Sequence, residues 1–96
     1  MNTDHESPEM RAGNTTDPER ALHSLKEEIE AIAWYQQRLE NSSNAQLKRI
    51  LTHNRNEEIE HVCMLLEWLR RNMEGWEPFL RSCLFSKGEI TSIETT

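Results

Sequence analysis

The sequence predicts an all-α protein: an antiparallel hairpin of two long helices followed by a short third helix. Three observations predict it. Leu22, Leu25, Ile29, Ile32 and Leu39 recur at helical steps, and Leu47, Leu51, Val62, Leu65 and Leu69 do so farther on. That is the period of helices with one apolar face. No Gly or Pro interrupts either stretch, and between them lies Asn41-Ser42-Ser43-Asn44, a cluster of turn and cap formers.

The first helix is predicted over about 18–40. Asp17 is a capping residue, Pro18 suits the first helical position, and Glu19 suits the positive end of the helix dipole. The second helix is predicted from about 44, because Ser43 and Gln46 have the spacing of a capping box. It is expected to run to about Glu74, with Gly75 as its C-terminal stop. Pro78 then allows a short third helix over about 77–85, ending at Leu84-Phe85. The expected organisation is a disordered N-terminal segment over 1–16, a helical hairpin domain over 17–85 and a C-terminal tail over 86–96.

Composition narrows the classes. The chain has 96 residues, of which 35% are hydrophobic. Both ends are polar, so about 70 residues remain to build a core, near the limit for one chain to offset its own ordering entropy. Oligomerisation is the expected source of further core. The longest apolar run is five residues, Val62 to Leu66, too short for a membrane span or a secretory signal. A cytoplasmic location follows as the expectation, with Cys63 and Cys83 as reduced thiols. Two cysteines do not fill a four-position zinc site. A net charge of -6 argues against nucleic acid as a partner, because phosphate-backbone readers carry a basic face.

The apolar stripe of the second helix is broken. It reads Leu47, Leu51, Asn54, Glu58, His61/Val62, Leu65, Leu69, with polar residues in its middle. Glu58 and His61 are three apart and project side by side. A charged side chain in a seam costs several kcal/mol, to order of magnitude, unless something compensates it. Glu28, on the edge of the first helix's stripe, lies about 14 residues before the turn centre, and Glu58 about 16 after it, so at about 1.5 Å per residue the two stand at one level. Glu28, Glu58 and His61 are therefore expected to converge. Two carboxylates and an imidazole suit a divalent metal such as iron or manganese. A buried Glu–His ion pair, or a seam open to solvent at that level, accounts for the same residues.

A two-metal site in a four-helix bundle takes a Glu from each of two helices and a Glu-x-x-His from each of the others. This chain has one of each. A twofold dimer would supply the missing half of the bundle and of the site together. The shortage of core and the shortage of ligands then have one solution: a homodimer forming a ferritin-like four-helix bundle with two irons.

Several segments carry a further likeness: Glu27-Glu28-Ile29-Glu30-Ala31, Trp34-Tyr35, the run His53-Asn54-Arg55-Asn56-Glu57-Glu58-Ile59-Glu60-His61, Leu66-Glu67-Trp68-Leu69-Arg70-Arg71-Asn72, and Leu84-Phe85. In combination, over about residues 20–94, they resemble the encapsulated ferritins. The resemblance implies a two-helix subunit that pairs to build a ferroxidase centre. It further implies a ring of ten subunits that oxidises iron(II) and delivers iron(III) into an encapsulin shell, so that the protein would work inside that nanocompartment. By position, Glu28, Glu58 and His61 match the family's metal ligands, and Trp34 and Tyr35 match aromatic residues beside the centre. The final residues, Ile93-Glu94-Thr95-Thr96, lack the small, apolar and basic character of the tails that carry family members into the shell.

Glu27, Glu30, His53, Glu57 and Glu60 lie off the two stripes. A solvated acidic face is the usual account of such residues. In a ring, the same faces of neighbouring dimers would meet and concentrate cations, and the resemblance favours an iron-uptake or transient site there. Trp34 projects opposite the stripe of the first helix and suggests a second subunit interface.

The functional reading is an iron(II)-oxidising enzyme, with Glu58 as the bridging ligand and Glu28 and His61 as terminal ligands. Carboxylates, as hard anionic ligands, favour iron(III) over iron(II). The rival readings are a non-enzymatic acidic helical dimerisation protein, whose polar seam residues set register, and a structural metal-binding oligomer.

Overall fold

The computed structural model describes residues 16–92. Apart from Thr16, the segment expected to be disordered lies outside them, as do residues 93–96 of the tail. The described residues are all-helical: α1 is Asp17–Asn41, α2 is Ala45–Asn72 and α3 is Trp76–Cys83, followed by one short 3₁₀ turn, Ile90–Ser92. α1 and α2 form the expected antiparallel hairpin, and α3 packs on the far end of α2.

The helices stand where the periodicity puts them, but different side chains cap them. Thr16, not Asp17, caps α1: its Oγ1 accepts from the Glu19 backbone N–H at 3.4 Å and donates to Glu19 Oε1 at 3.2 Å. Asp17 is already helical, where its charge still faces the positive end of the dipole. Asn44 replaces the expected Ser43 as the cap of α2, with Oδ1 accepting from the Leu47 N–H at 2.9 Å. Ser42 supports the turn by accepting from the Asn44 N–H at 3.3 Å. α2 ends two residues short of Glu74, where the Met73 N–H closes onto the Leu69 carbonyl at 2.8 Å. Gly75 does not stop α2. It starts α3 at φ +98°, a left-handed conformation that glycine adopts without steric cost. α3 ends at Cys83, two residues before the expected Phe85, which takes φ +61°.

The seam also differs from the expected stripe. Ala21, Leu25 and Ala31 are buried on α1, while Ile29 is 52% exposed. The half-covered residues Glu28, Ile32, Tyr35 and Leu39 continue from Ala21 and Leu25 in alternating steps of four and three. Those five steps cover 18 residues, about 3.6 per step, so these residues form one continuous stripe along the helix. Glu28 therefore lies inside the seam rather than on its edge, and Ile29 falls outside. On α2, Leu51 and Leu69 are buried, and Leu47, expected in the stripe, is 46% exposed.

The main core cluster lies at the open end of the hairpin. Ala21, Leu25 and Leu69 are buried there, with Leu22, Val62, Leu65, Leu66, Trp68, Met73 and Trp76 packed on them. α3 is tied to this end by charge. Arg70 grips Glu67 with two hydrogen bonds, at 2.8 and 2.7 Å, and reaches Glu77 on α3 at 2.5 Å. Glu77 also accepts from Arg81 Nε at 2.7 Å. The hydrogen bonds from Arg70, then Arg71, hold the Glu67 carboxyl well below its ordinary 4.5, at about 2. Those from Arg70 and Arg81 lower Glu77 as well. Cys63 and Cys83 are free, exposed thiols, and no helix of the described residues is long and apolar enough to cross a membrane.

Candidate metal centre

Between the main core cluster and the turn, the seam turns polar. Glu28 on α1 meets Glu58 and His61 on α2. One ligand atom from each lies within 4.8 Å of the others. Among the described residues this is the one group of three acidic, His or Cys side chains so close together. The local cause is simple: Glu58 and His61 are one turn apart on one face, and similar distances from the turn bring the Glu28 level opposite them.

The His61 ring sits between the carboxylates. Its Nδ1 is 3.3 Å from Glu28 Oε2 and 3.6 Å from Glu58 Oε2. With a proton on Nδ1 the ring donates to Glu28, and the proton occupies the space a cation would take. A metal held through Nδ1 would take that proton's place, with the ring proton carried on Nε2 instead. The two carboxylates are 17% and 20% exposed, whereas His61 is 46% exposed. Of the pair written together in the stripe, Val62 packs on the core cluster and His61 lies on the open flank. The site is therefore covered on the hairpin side and open on the other. With one donor atom from each, the three side chains would fill half of a six-coordinate ion's positions and leave the others for further ligands.

Tyr35 stands two turns after Glu28, its ring edge-on to Trp34 with centroids 4.9 Å apart. Trp34 is not a bare outward face. The Arg38 guanidinium lies over it, 3.2 Å from the ring centroid, a cation–π contact. The residues expected on the outer acidic face do not form a three-ligand group within one chain. His53 Nε2 pairs with Glu57 Oε1 at 2.8 Å, Glu30 faces Lys26 at 3.9 Å, Glu27 is half-buried and Glu60 is exposed. One cross-helix contact beside the centre escaped the sequence reading: Arg55 on α2 donates to Gln36 on α1 at 3.0 Å. Two polar residues on adjoining helices give no periodic signal of their pairing.

Comparison with known proteins adds the lineage. Residues 3–87 match the EncFtn-like family. The chain belongs to this family, the encapsulated ferritins. The "Ferritin-like protein" of Thermotoga maritima is 54% identical over 90 residues, covering 94% of this chain and 79% of that one. The "Encapsulated ferritin-like protein" of Rhodospirillum rubrum is 48% identical over 93 residues, covering 97% of this chain and 66% of that one. Among solved structures, the crystal structure of protein ne0167 from Nitrosomonas europaea superposes with a TM-score of 0.74, at 42% identity and over 94% of each chain. An EncFtn-like chain thus carries the hairpin and, in its seam, the convergent Glu, Glu and His.

Proposed function

We propose that this EncFtn-like chain is one half of a ferroxidase: two copies pair across the open flank of Glu28, Glu58 and His61, and the joined site oxidises iron(II) to iron(III). The observation that carries this reading is the convergence of those three side chains within 4.8 Å in one hairpin. It is half of the donor set that a two-iron carboxylate site takes. The family and the printed names of its relatives support an iron-related role.

Iron(II) is the substrate. Glu58 is assigned as the bridging ligand between twofold-related halves, with Glu28 and His61 as terminal ligands, and Tyr35 as the aromatic residue beside the centre. The carboxylates bind iron(III) more tightly than iron(II) and so favour oxidation. Dioxygen would take one electron from each of the two iron(II) ions and, with two protons from water, become a two-electron-reduced product at the level of hydrogen peroxide. The acidic residues Glu27, Glu30, His53, Glu57 and Glu60 are assigned to the route by which iron arrives, completed by neighbouring dimers in a ring of ten. A two-helix subunit has no room for a mineral, so oxidised iron passes to a container, for which an encapsulin shell is the proposed partner.

The test is direct. The protein is purified without chelator, iron(II) is added in air, and absorbance is followed near 300–350 nm, about the range of iron(III)–carboxylate species. A rise that saturates at two irons per dimer supports the reading. A folded dimer that binds no iron and shows no rise would leave the polar seam as a register device alone.

A further inference from the structure

The polar centre creates a mechanical problem for the hairpin. Apolar packing sets how two helices approach, but it resists sliding only where side chains interlock. At the level of Glu28, Glu58 and His61 the seam has carboxylates and an imidazole in place of interlocking apolar groups. The tight turn at Ser42–Asn44 is about 14 residues away along each helix, roughly 21 Å. A slide of one residue, about 1.5 Å, would carry the 3.3 Å contact between Glu28 and His61 beyond hydrogen-bond range.

One contact is placed to resist that slide. Arg55 is one turn before Glu58 on α2. Counted from the turn, its backbone stands about level with residue 31, yet its guanidinium donates to Gln36 Oε1 at 3.0 Å. Side chains on a helix lean toward its N-terminus, and on α2 that direction is toward the turn. Gln36 on the antiparallel α1 leans the other way, so the two side chains together link their backbones diagonally across the seam, over about five residues or roughly 7.5 Å of helix rise. A diagonal tie changes length in proportion to a slide, whereas a perpendicular one barely changes at first. The other edge of the guanidinium is anchored on its own helix: Nε and Nη2 both donate to Asn56 Oδ1, at 3.3 and 3.0 Å. Both acceptors are neutral amides, so no carboxylate competes for the group and Glu58 stays free for the centre.

We infer that Arg55 and Gln36 form a diagonal brace that sets the register of the hairpin at the metal centre, and that they act as positioning residues for Glu28 against Glu58 and His61. The inference rests on the half-site reading for its purpose, but not for its geometry.

The experiment uses the full chain with Gln36→Met, Arg55→Met, the double variant, and Gln36→Glu as the conservative replacement that keeps an acceptor. Two readouts are taken: the ¹⁵N NMR signals of the His61 ring in metal-free protein, and binding of cobalt(II) followed by its visible absorption. The brace predicts that each Met variant shifts the His61 ring signals in the same direction and weakens cobalt(II) binding roughly tenfold, the lower end of the cost of losing an outer-shell partner. The double variant should add little to either single change, and Gln36→Glu should restore the parent ring signals. His61 signals that stay at parent positions in Gln36→Met, even with a lowered Tm, would overturn the brace. So would a change confined to Arg55→Met, which would assign the effect to charge. If the parent itself binds no cobalt(II), the half-site reading fails, while the ring signals of the metal-free variants still decide the brace.

Discussion

Glu57, Glu58 and Glu60 share one chemistry and differ in direction. Glu57 pairs with His53 at 2.8 Å on the outside of α2, and Glu60 is exposed. Glu58, 20% exposed, turns into the seam beside His61. Direction, not acidity, should therefore decide which of them matters. Glu58→Ala and His61→Ala are expected to abolish iron(II) oxidation and to lose bound metal. Glu60→Ala should retain the centre and its bound metal. Metal content and initial rates in air check this, and equal loss in all three variants would mean that bulk acidity, rather than a built site, carries the chemistry. Replacing a seam carboxylate also removes a partner of His61, so metal content must be measured on folded protein.

At the scale of elements, α1 and α2 are long, well capped and mutually packed, whereas α3 has eight residues and no buried side chain. Its attachment leans on Glu77, which joins Arg70 of α2 to Arg81 of α3. Glu67 is lowered from 4.5 to about 2 by hydrogen bonds from Arg70 and Arg71, and Glu77 is lowered in the same sense by Arg70 and Arg81. A carboxylate lowered on folding stabilises the fold above its unfolded value, and the contribution disappears as pH falls through the folded value. The network should thus hold near neutrality and weaken from about pH 4.5 down to about pH 2. Solvent screens these exposed groups, so the effect is expected to be local. Amides of residues 76–83 should lose exchange protection in that window before those of α1 and α2. Simultaneous loss in all three helices would mean that the ion pairs do not hold α3 separately.

For the whole molecule, the limiting resource is core. Among the described residues only Ala21, Leu25, Ala31, Leu51 and Leu69 are buried, while Ile29, Ile50, Ile59 and Met64 are at least 42% exposed. A hairpin so poorly covered should fold weakly alone. Iron(II) bound between two copies is expected to favour the dimer or a larger ring, since a ligand held only by the assembled state stabilises that state. Sedimentation with and without iron(II) reads this out. A folded monomer that oxidises iron at the full rate would sink the half-site. The outer carboxylates act at the same scale. Neutralising Glu30 and Glu60 together should change the rate of iron uptake without removing the centre. The remaining rate should also depend less on salt than the parent's, because a carboxylate field is screened over about 8 Å at physiological ionic strength. Unchanged rate and salt dependence would return that face to plain solvation.

Helix positions, the break around residues 42–44 and the meeting of Glu28, Glu58 and His61 were all legible in the sequence. Each depends on local spacing: one turn joins Glu58 to His61, and equal distances from the turn bring Glu28 to their level. Tertiary structure decided what spacing leaves degenerate. Straight projection admits both Glu28 and Ile29 near the seam, and both His61 and Val62. Docking of the helices puts Glu28 and Val62 in, with Ile29 and His61 toward the open side, because the partner helix covers only a narrow strip of each and which neighbour falls inside its edge depends on how the two are rotated against each other. The caps at Thr16 and Asn44 depend on backbone angles one residue from the expected positions. The Arg55–Gln36 tie and the Arg70–Glu77 link join residues distant in the chain or on different helices. Such pairings exist only once the elements have docked, so no periodicity announces them.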